Sequence, residues 1–302
     1  MKFRKLGSAD LSVSELSLGC MSLGTDEQDA IQTIHMAIDE GINYFDTADL
    51  YDFGKNEELV GKALKGRRDK VILATKVGNR WNESKTSWTR DPSKAYIKEQ
   101  VKESLRRLGT DYIDLYQLHG GTIEDDFEQV IEAFEELVKE GTVRYYGISS
   151  IRPNVIHRFV EHSSIQSNMM QYNLLDRRPE EFFSYLVDHQ VSVIVRGAIA
   201  KGLLTSNWMN KLSDKGYLLH SKNECIRLIS QIESILDENQ TLHSLALHYY
   251  LSHQAIASLA IGARNPNQLK DNLIHYYKNP IDKHQILSLN QVLPKELYVD
   301  HR

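Results

Sequence analysis

Short apolar runs alternate along the chain with longer stretches in which apolar side chains return every three or four positions. The opening differs: Phe3–Leu6 and Leu11–Ser14 alternate apolar and polar residues around a Gly7–Asp10 turn, which predicts a β-hairpin able to cap an end. After it, eight runs read as strands: Glu15–Leu18, Asn43–Asp46, Val71–Thr75, Ile113–Leu118, Tyr145–Ile148, Met169–Gln171, Ser192–Val195 and Ala257–Ile261. Helical spacing fills the intervals. It shows in Ile31, Ile34 and Ile38 before Gly41, in Leu59, Val60 and Leu64, and in Ile97, Val101, Leu105 and Leu108 before Gly109. It continues in Phe127, Val130, Ile131, Phe134, Leu137 and Val138, then in Val155, Ile156, Phe159 and Val160. Two helices follow the seventh run, through Ile229, Ile232 and Leu236 and through Leu245, Leu247 and Tyr250. Strand and helix in strict alternation predict a parallel α/β barrel. No linker or internal repeat divides residues 1–302, so the whole chain is expected to form a single domain. Two connections, Val77–Asp91 and Leu203–Asn223, exceed the usual loop length and are expected to shape a site.

In a parallel barrel the C-terminal strand ends converge on one mouth. Asp46, Lys76 and His119 stand at such ends, and Tyr51 follows the first of them. A phenol is a poor proton donor at neutral pH unless a neighbour stabilises its anion, and the Lys76 ammonium is the candidate neighbour. A buried ammonium needs a carboxylate, which Asp46 offers from the adjacent strand. His119, one strand further, could hydrogen-bond the oxygen that Tyr51 protonates. Each residue alone is an ordinary strand end or packed ring; the four at neighbouring ends describe reduction of a carbonyl.

Bulk properties narrow the alternatives. The formal charge of -5 and dispersed Lys and Arg argue against a nucleic-acid partner. Cys20 and Cys225 form no C-x-x-C pair, so neither a disulfide framework nor a metal cluster is expected, and both should pack as reduced thiols. The N-terminus has no signal-like apolar core and no later run approaches a membrane span, which leads us to expect a cytoplasmic protein. The 12 histidines show neither H-x-H nor H-E-x-x-H spacing, so no metal is expected and a metal-dependent barrel hydrolase is disfavoured. Tyr51–Lys55 also fits Y-x-x-x-K, the acid motif of short-chain dehydrogenases. Leu18–Gly24 lacks the glycine spacing those enzymes need after their first strand.

The segments Gly41–Glu57 (GINYFDTADLYDFGKNE), Ala74–Lys76, Leu105–Leu118 (LRRLGTDYIDLYQL), Gly202–Thr205 and Ile261–Arg264 resemble the aldo-keto reductase family, and Gly147–Val155 resembles a bacterial branch of uncharacterised oxidoreductases. The resemblance implies a single (β/α)8 TIM barrel with the N-terminal hairpin and an extra helix after strand seven. It implies NADPH bound across the mouth, NADH being the lesser candidate, with hydride passing to an aldehyde or ketone. By matching motif, Tyr51 is the acid, Asp46 and Lys76 tune it, and His119 orients the carbonyl. Ser149, Ser150 and Gln171 match positions holding the nicotinamide carboxamide; Gly202, Leu203 and Leu204 match a stretch passing the pyrophosphate; Met21 and Asp46 approach the nicotinamide ribose. Gln268 and Asn272 match positions around the adenine end.

That end also has an argument of its own. Asn265–Pro266 reads as a helix start, a favourable place for an anion, and Arg264 immediately before it could grip a ribose 2′-phosphate, hence the expectation of NADPH. The pattern departs from the family at Ser149–Ser150, where Ser-Asn is common, and at Arg196, where many relatives carry an aromatic ring. Arg196 could stack on the nicotinamide or bind phosphate. Gly120–Gly121 after His119 suggests an open pocket, and Trp81 and Trp88 are candidate substrate walls. The expected partner is a small carbonyl compound, the expected assembly a monomer or small homo-oligomer. An NADPH-binding redox sensor or regulatory subunit with little turnover is the alternative.

Overall fold

The computed structural model describes residues 1–302. The opening segment forms an antiparallel hairpin of β1 (Phe3–Lys5) and β2 (Ser12–Ser14). β3 (Leu16–Gly19), β4 (Tyr44–Asp46) and β5 (Ile72–Val77) begin the barrel. A second hairpin, β6 (Asn79–Trp81) and β7 (Trp88–Arg90), stands out from it. β8 (Ile113–His119), β9 (Val143–Ser149), β10 (Ser167–Gln171), β11 (Ser192–Arg196) and β12 (Ile256–Gly262) close the eight-stranded parallel barrel back onto β3. The fold is thus the (β/α)8 TIM barrel, and its strands follow the predicted runs within a residue or two.

Helices α1 (Glu27–Asp39), α2 (Lys55–Leu64), α3 (Lys94–Leu108), α4 (Phe127–Lys139) and α5 (Pro153–His162) connect the first strands. α6 (Phe183–Asp188) precedes β11; α7 (Lys222–Glu233) and α8 (Leu242–Leu251) follow it, giving the extra helix. α9 (Pro266–Tyr276) and α10 (Lys283–Val292) end the chain. Asn265 caps α9 as predicted, its side chain accepting from Gln268 N. The structure corrects three omissions. The Val77–Asp91 connection holds the second hairpin, α6 is too short to show a helical period, and α10 had a legible start in the Asp282/Gln285 capping box.

Period-two alternation sorts the side chains. Tyr44, Ile72, Ala74, Leu115, Met169, Ile194 and Ala257 fill the barrel interior, whose lower end the first hairpin plugs with Leu6 and Val13. The larger apolar cluster lies between barrel and helices. α8 is apolar nearly all round because it is buried on almost every side. No helix is long and apolar enough to cross a membrane. Both cysteines are buried free thiols.

α2 and α3 meet at Gly61, where an added Cβ would lie 2.5 Å from the Leu108 carbonyl oxygen and 2.7 Å from that of Arg107. Gly61→Ala would gain up to about 1 kcal/mol in helix propensity, while overpacking against rigid backbone costs about 1–3 kcal/mol. We expect a net loss, read as a lower urea midpoint at unchanged m-value. A midpoint equal to or above wild type would show that the two helices can separate freely.

Candidate active site

The barrel register raises each inward side chain toward the mouth. Asp46 pairs with Ala74, Lys76 two residues on pairs with Gln117, and His119 two further pairs with Ser149. Because Tyr44, Ala74 and Leu115 fill the interior, the next inward positions, Asp46, Lys76 and Gln117, form the layer above it, with His119 one inward step beyond Gln117.

In that layer Lys76 is fully buried and all three of its N–H bonds have an acceptor. Nζ donates to Asp46 Oδ2 at 2.5 Å, to the Thr47 carbonyl at 2.8 Å and to the Tyr51 hydroxyl at 3.3 Å. The Gln117 amide holds the other Asp46 oxygen at 3.2 Å. Burial alone would pull the ammonium pKa down, but Asp46 and then Tyr51 outweigh it and hold Lys76 above its ordinary value. Outward-facing residues brace the layer from behind: Thr75 donates to Glu57 at 2.6 Å, which also accepts from Arg107 Nε at 2.6 Å. Thr47 donates to Asn56, whose amide donates to the Cys20 carbonyl at 2.8 Å.

Tyr51 meets the His119 ring edge-on, with centroids 6.0 Å apart. Burial, then the charges of Lys76, Arg196 and Arg90, push the His119 pKa down to about 3, so the ring is neutral. Nδ1 is buried without a partner. A proton on Nδ1 would have no acceptor, so the neutral ring carries it on Nε2. The glycines beyond have a steric reason as well as an open one. Both have positive φ, and a Cβ on Gly120 would sit 2.8 Å from Arg90 Nη1, one on Gly121 2.8 Å from Val155 Cγ1. Arg90 is ion-paired with Asp125 at 2.5 Å, and Arg152 donates to the Gly121 carbonyl.

A cleft of about 1840 Å³ opens over this layer, lined by Met21, Asp46, Tyr51, Lys76, His119, Ser149, Ser150, Gln171, Arg196, Arg264 and Gln268. It exceeds the ~300–1,000 Å³ of a pocket for one small ligand, so an extended dinucleotide fits its scale. Gln171 is held from both ends, accepting from Arg196 Nη1 at 3.1 Å and donating to Asp176 at 3.1 Å. Arg264 is exposed and no carboxylate engages its guanidinium, while its backbone N–H donates to Gln268 Oε1 at 2.9 Å.

Other sequence-predicted positions lie elsewhere. Leu203 and Leu204 are core residues, and the N–H groups of Gly202, Leu203 and Leu204 already donate to Ile199 or Ala200 carbonyls. The cleft wall there is Ile199, Lys201 and Lys211. Asn272 is buried, its amide donating to the Gly262 carbonyl at 3.2 Å. Trp88 reaches the cleft, whereas Trp81 donates to the Leu50 carbonyl at 3.0 Å and packs on Phe53 with centroids 4.6 Å apart. Sequence reasoning missed Lys201, Lys211, Arg178, Tyr217 and the tail residues 296–301 of the wall. Lys211 lay inside the Leu203–Asn223 connection already marked as long and Lys201 just before it, but nothing local distinguished either from a solvated side chain.

The model of the aldo/keto reductase family matches residues 15–294. An uncharacterized oxidoreductase of Bacillus subtilis, YqkF, is 50% identical over the full length of both chains. The holo form of aldo-keto reductase AKR11C1 from Bacillus halodurans superposes with a TM-score of 0.94 at 52% identity, covering 100% of this chain and 99% of that one. More distantly, the NADH-specific methylglyoxal reductase of Escherichia coli is 29% identical over 90% of this chain and 93% of its own.

The neutral state of His119 has a consequence for stability. Unfolded, the imidazole takes up a proton near pH ~6.5, whereas folded it does so only at about 3. Its contribution is therefore complete above ~6.5 and is lost as pH falls toward 3. Between about pH 7 and pH 5, urea unfolding of the wild type should lose about 2 kcal/mol more than that of His119→Gln. Equal losses would mean that the ring protonates freely in the folded protein.

Proposed function

The chain belongs to the aldo/keto reductase family, and from that premise we propose that it reduces an aldehyde or ketone to an alcohol with NADPH, Tyr51 delivering the proton. The observation that carries this reading is the position of Lys76 Nζ, 2.5 Å from Asp46 and 3.3 Å from the Tyr51 oxygen at the floor of the cleft. A nicotinamide bound in the cleft supplies the hydride. The protein's part is to hold the carbonyl and complete the charge balance. Donation by Tyr51 leaves a phenolate, which an ammonium 3.3 Å away stabilises by about 5 kcal/mol at an effective dielectric of about 20. Asp46 keeps that ammonium charged and fixed, so no reorganisation accompanies proton transfer. His119 offers a neutral Nε2–H rather than a second cation, and so polarises the carbonyl oxygen without competing as its acid.

The family by itself leaves the cofactor open, since the Escherichia coli relative is NADH-specific by name. We assign NADPH on the adenine side of the cleft. Arg264 is free of any carboxylate and stands one residue before the Asn265 cap of α9, where backbone N–H groups and the helix dipole favour an anion. Lys201 and Lys211 add positive charge along the wall and suit the pyrophosphate better than the buried Leu203 and Leu204 do. Arg196, exposed and tied to Gln171, lies at the nicotinamide end and offers its planar guanidinium there.

Tyr51→Phe deletes the donor and almost no volume. It should lower kcat about 10²–10⁴-fold while leaving NADPH affinity, followed by quenching of protein fluorescence, within about twofold. Retained turnover would remove Tyr51 from its role. Arg264→Ala should reduce the ratio of NADPH to NADH affinity by about tenfold, the worth of one charge-assisted contact. An unchanged ratio would leave carbonyl reduction standing and overturn the cofactor assignment.

A further inference from the structure

On the outer face of the barrel, α8 packs along α9 and brings three metal-binding side chains together. His243 lies in the first turn of α8; Asp271 and His275, four residues apart on α9, share one helix face. One ligating atom from each falls within 4.8 Å of the other two. His275 Nε2 is already 3.6 Å from Asp271 Oδ1, and the two imidazole rings lie 4.5 Å apart between centroids. A tetrahedral zinc ion holds its ligand atoms about 3.3 Å apart, so modest side-chain rotation closes the set.

The second observation is independent of that spacing. His243 is 2% exposed, yet neither Nδ1 nor Nε2 has a hydrogen-bond partner. Buried polar atoms are nearly always satisfied, and an imidazole with both nitrogens orphaned calls for a ligand. His275 is held by contrast: its Nδ1 lies 3.0 Å from Thr241 Oγ1, and in the tautomer that donates there Nε2 is free to ligate beside the Asp271 carboxylate. Such an outer hydrogen bond is the usual way a metal-binding histidine is held in its tautomer.

We propose that His243, Asp271 and His275 form a binding site for one divalent transition-metal ion of the zinc class, apart from the cleft. Two imidazoles and one carboxylate suit zinc, cobalt or nickel rather than magnesium or calcium. Asp271 is exposed, which supplies a route of entry and leaves a fourth position for water. The sequence concealed the set because its ligands come from two helices and match no continuous histidine motif. An ion here would clip α8 to α9, the helix whose first turn carries Gln268 beside Arg264.

The test uses the purified full-length chain freed of metal with chelator, titrated with Zn²⁺ by calorimetry and with Co²⁺ by visible absorption. We expect one Zn²⁺ per chain, a rise in Tm with added Zn²⁺, and the intense visible bands of four-coordinate Co²⁺. Asp271→Asn, at an exposed side chain, should keep the metal-free Tm, and both it and His275→Gln should weaken binding by about tenfold or more. No saturable binding would overturn the proposal, and so would stoichiometric binding that both variants retain, since the ion would then sit elsewhere.

Discussion

A fully buried ammonium is the constraint around which the barrel mouth is organised. Lys76 cannot keep its charge in an apolar interior unless an opposite charge and further acceptors surround it, and Asp46, Thr47 and Tyr51 take all three of its N–H bonds. Removing one partner of such a pair strands the other, at a cost of about 3–5 kcal/mol. The same constraint that makes the arrangement fragile places a fixed positive charge beside a phenol facing solvent. Stability and the proposed proton transfer therefore rest on the same few atoms.

Strand alternation supplies the geometry. Every second side chain of β4, β5 and β8 points into the barrel, and the stepwise register makes the uppermost inward positions meet in one layer. Below it the apolar interior and the β1–β2 plug keep water from the far side of the ion pair. Behind it the outward residues form struts, Thr75 to Glu57 to Arg107 and Thr47 to Asn56. The layer is thereby tied to α2 and α3.

The cleft above is shaped by steric limits as much as by charge. Gly120 and Gly121 hold positive φ angles that strain any other residue, and a Cβ at either would also crowd Arg90 or Val155, so the room beside His119 is built into the backbone. Cations dominate the side chains that reach the rim: Arg196, Lys201, Lys211 and Arg264. A chain whose net charge is -5 thus concentrates positive charge where an anionic dinucleotide is proposed to lie.

Much of this was legible along the chain because it rests on local periodicity. Runs of period two alternating with stretches of period 3.6 imply a parallel barrel, and a barrel brings strand ends together whatever their separation in sequence. Asp46, Tyr51, Lys76 and His119 could be singled out for that reason. What only the tertiary structure decided depends on neighbours that no local pattern encodes. Trp81 turned to Leu50 and Phe53, Leu203 and Leu204 entered the core, and Lys201 and Lys211 took the wall, because the turns at 199–211 bury one set of side chains and expose the other. His243 met Asp271 and His275 for the same reason: successive helices on either side of β12 share a packed face, and which side chains meet across it is set by helix packing that no local pattern encodes.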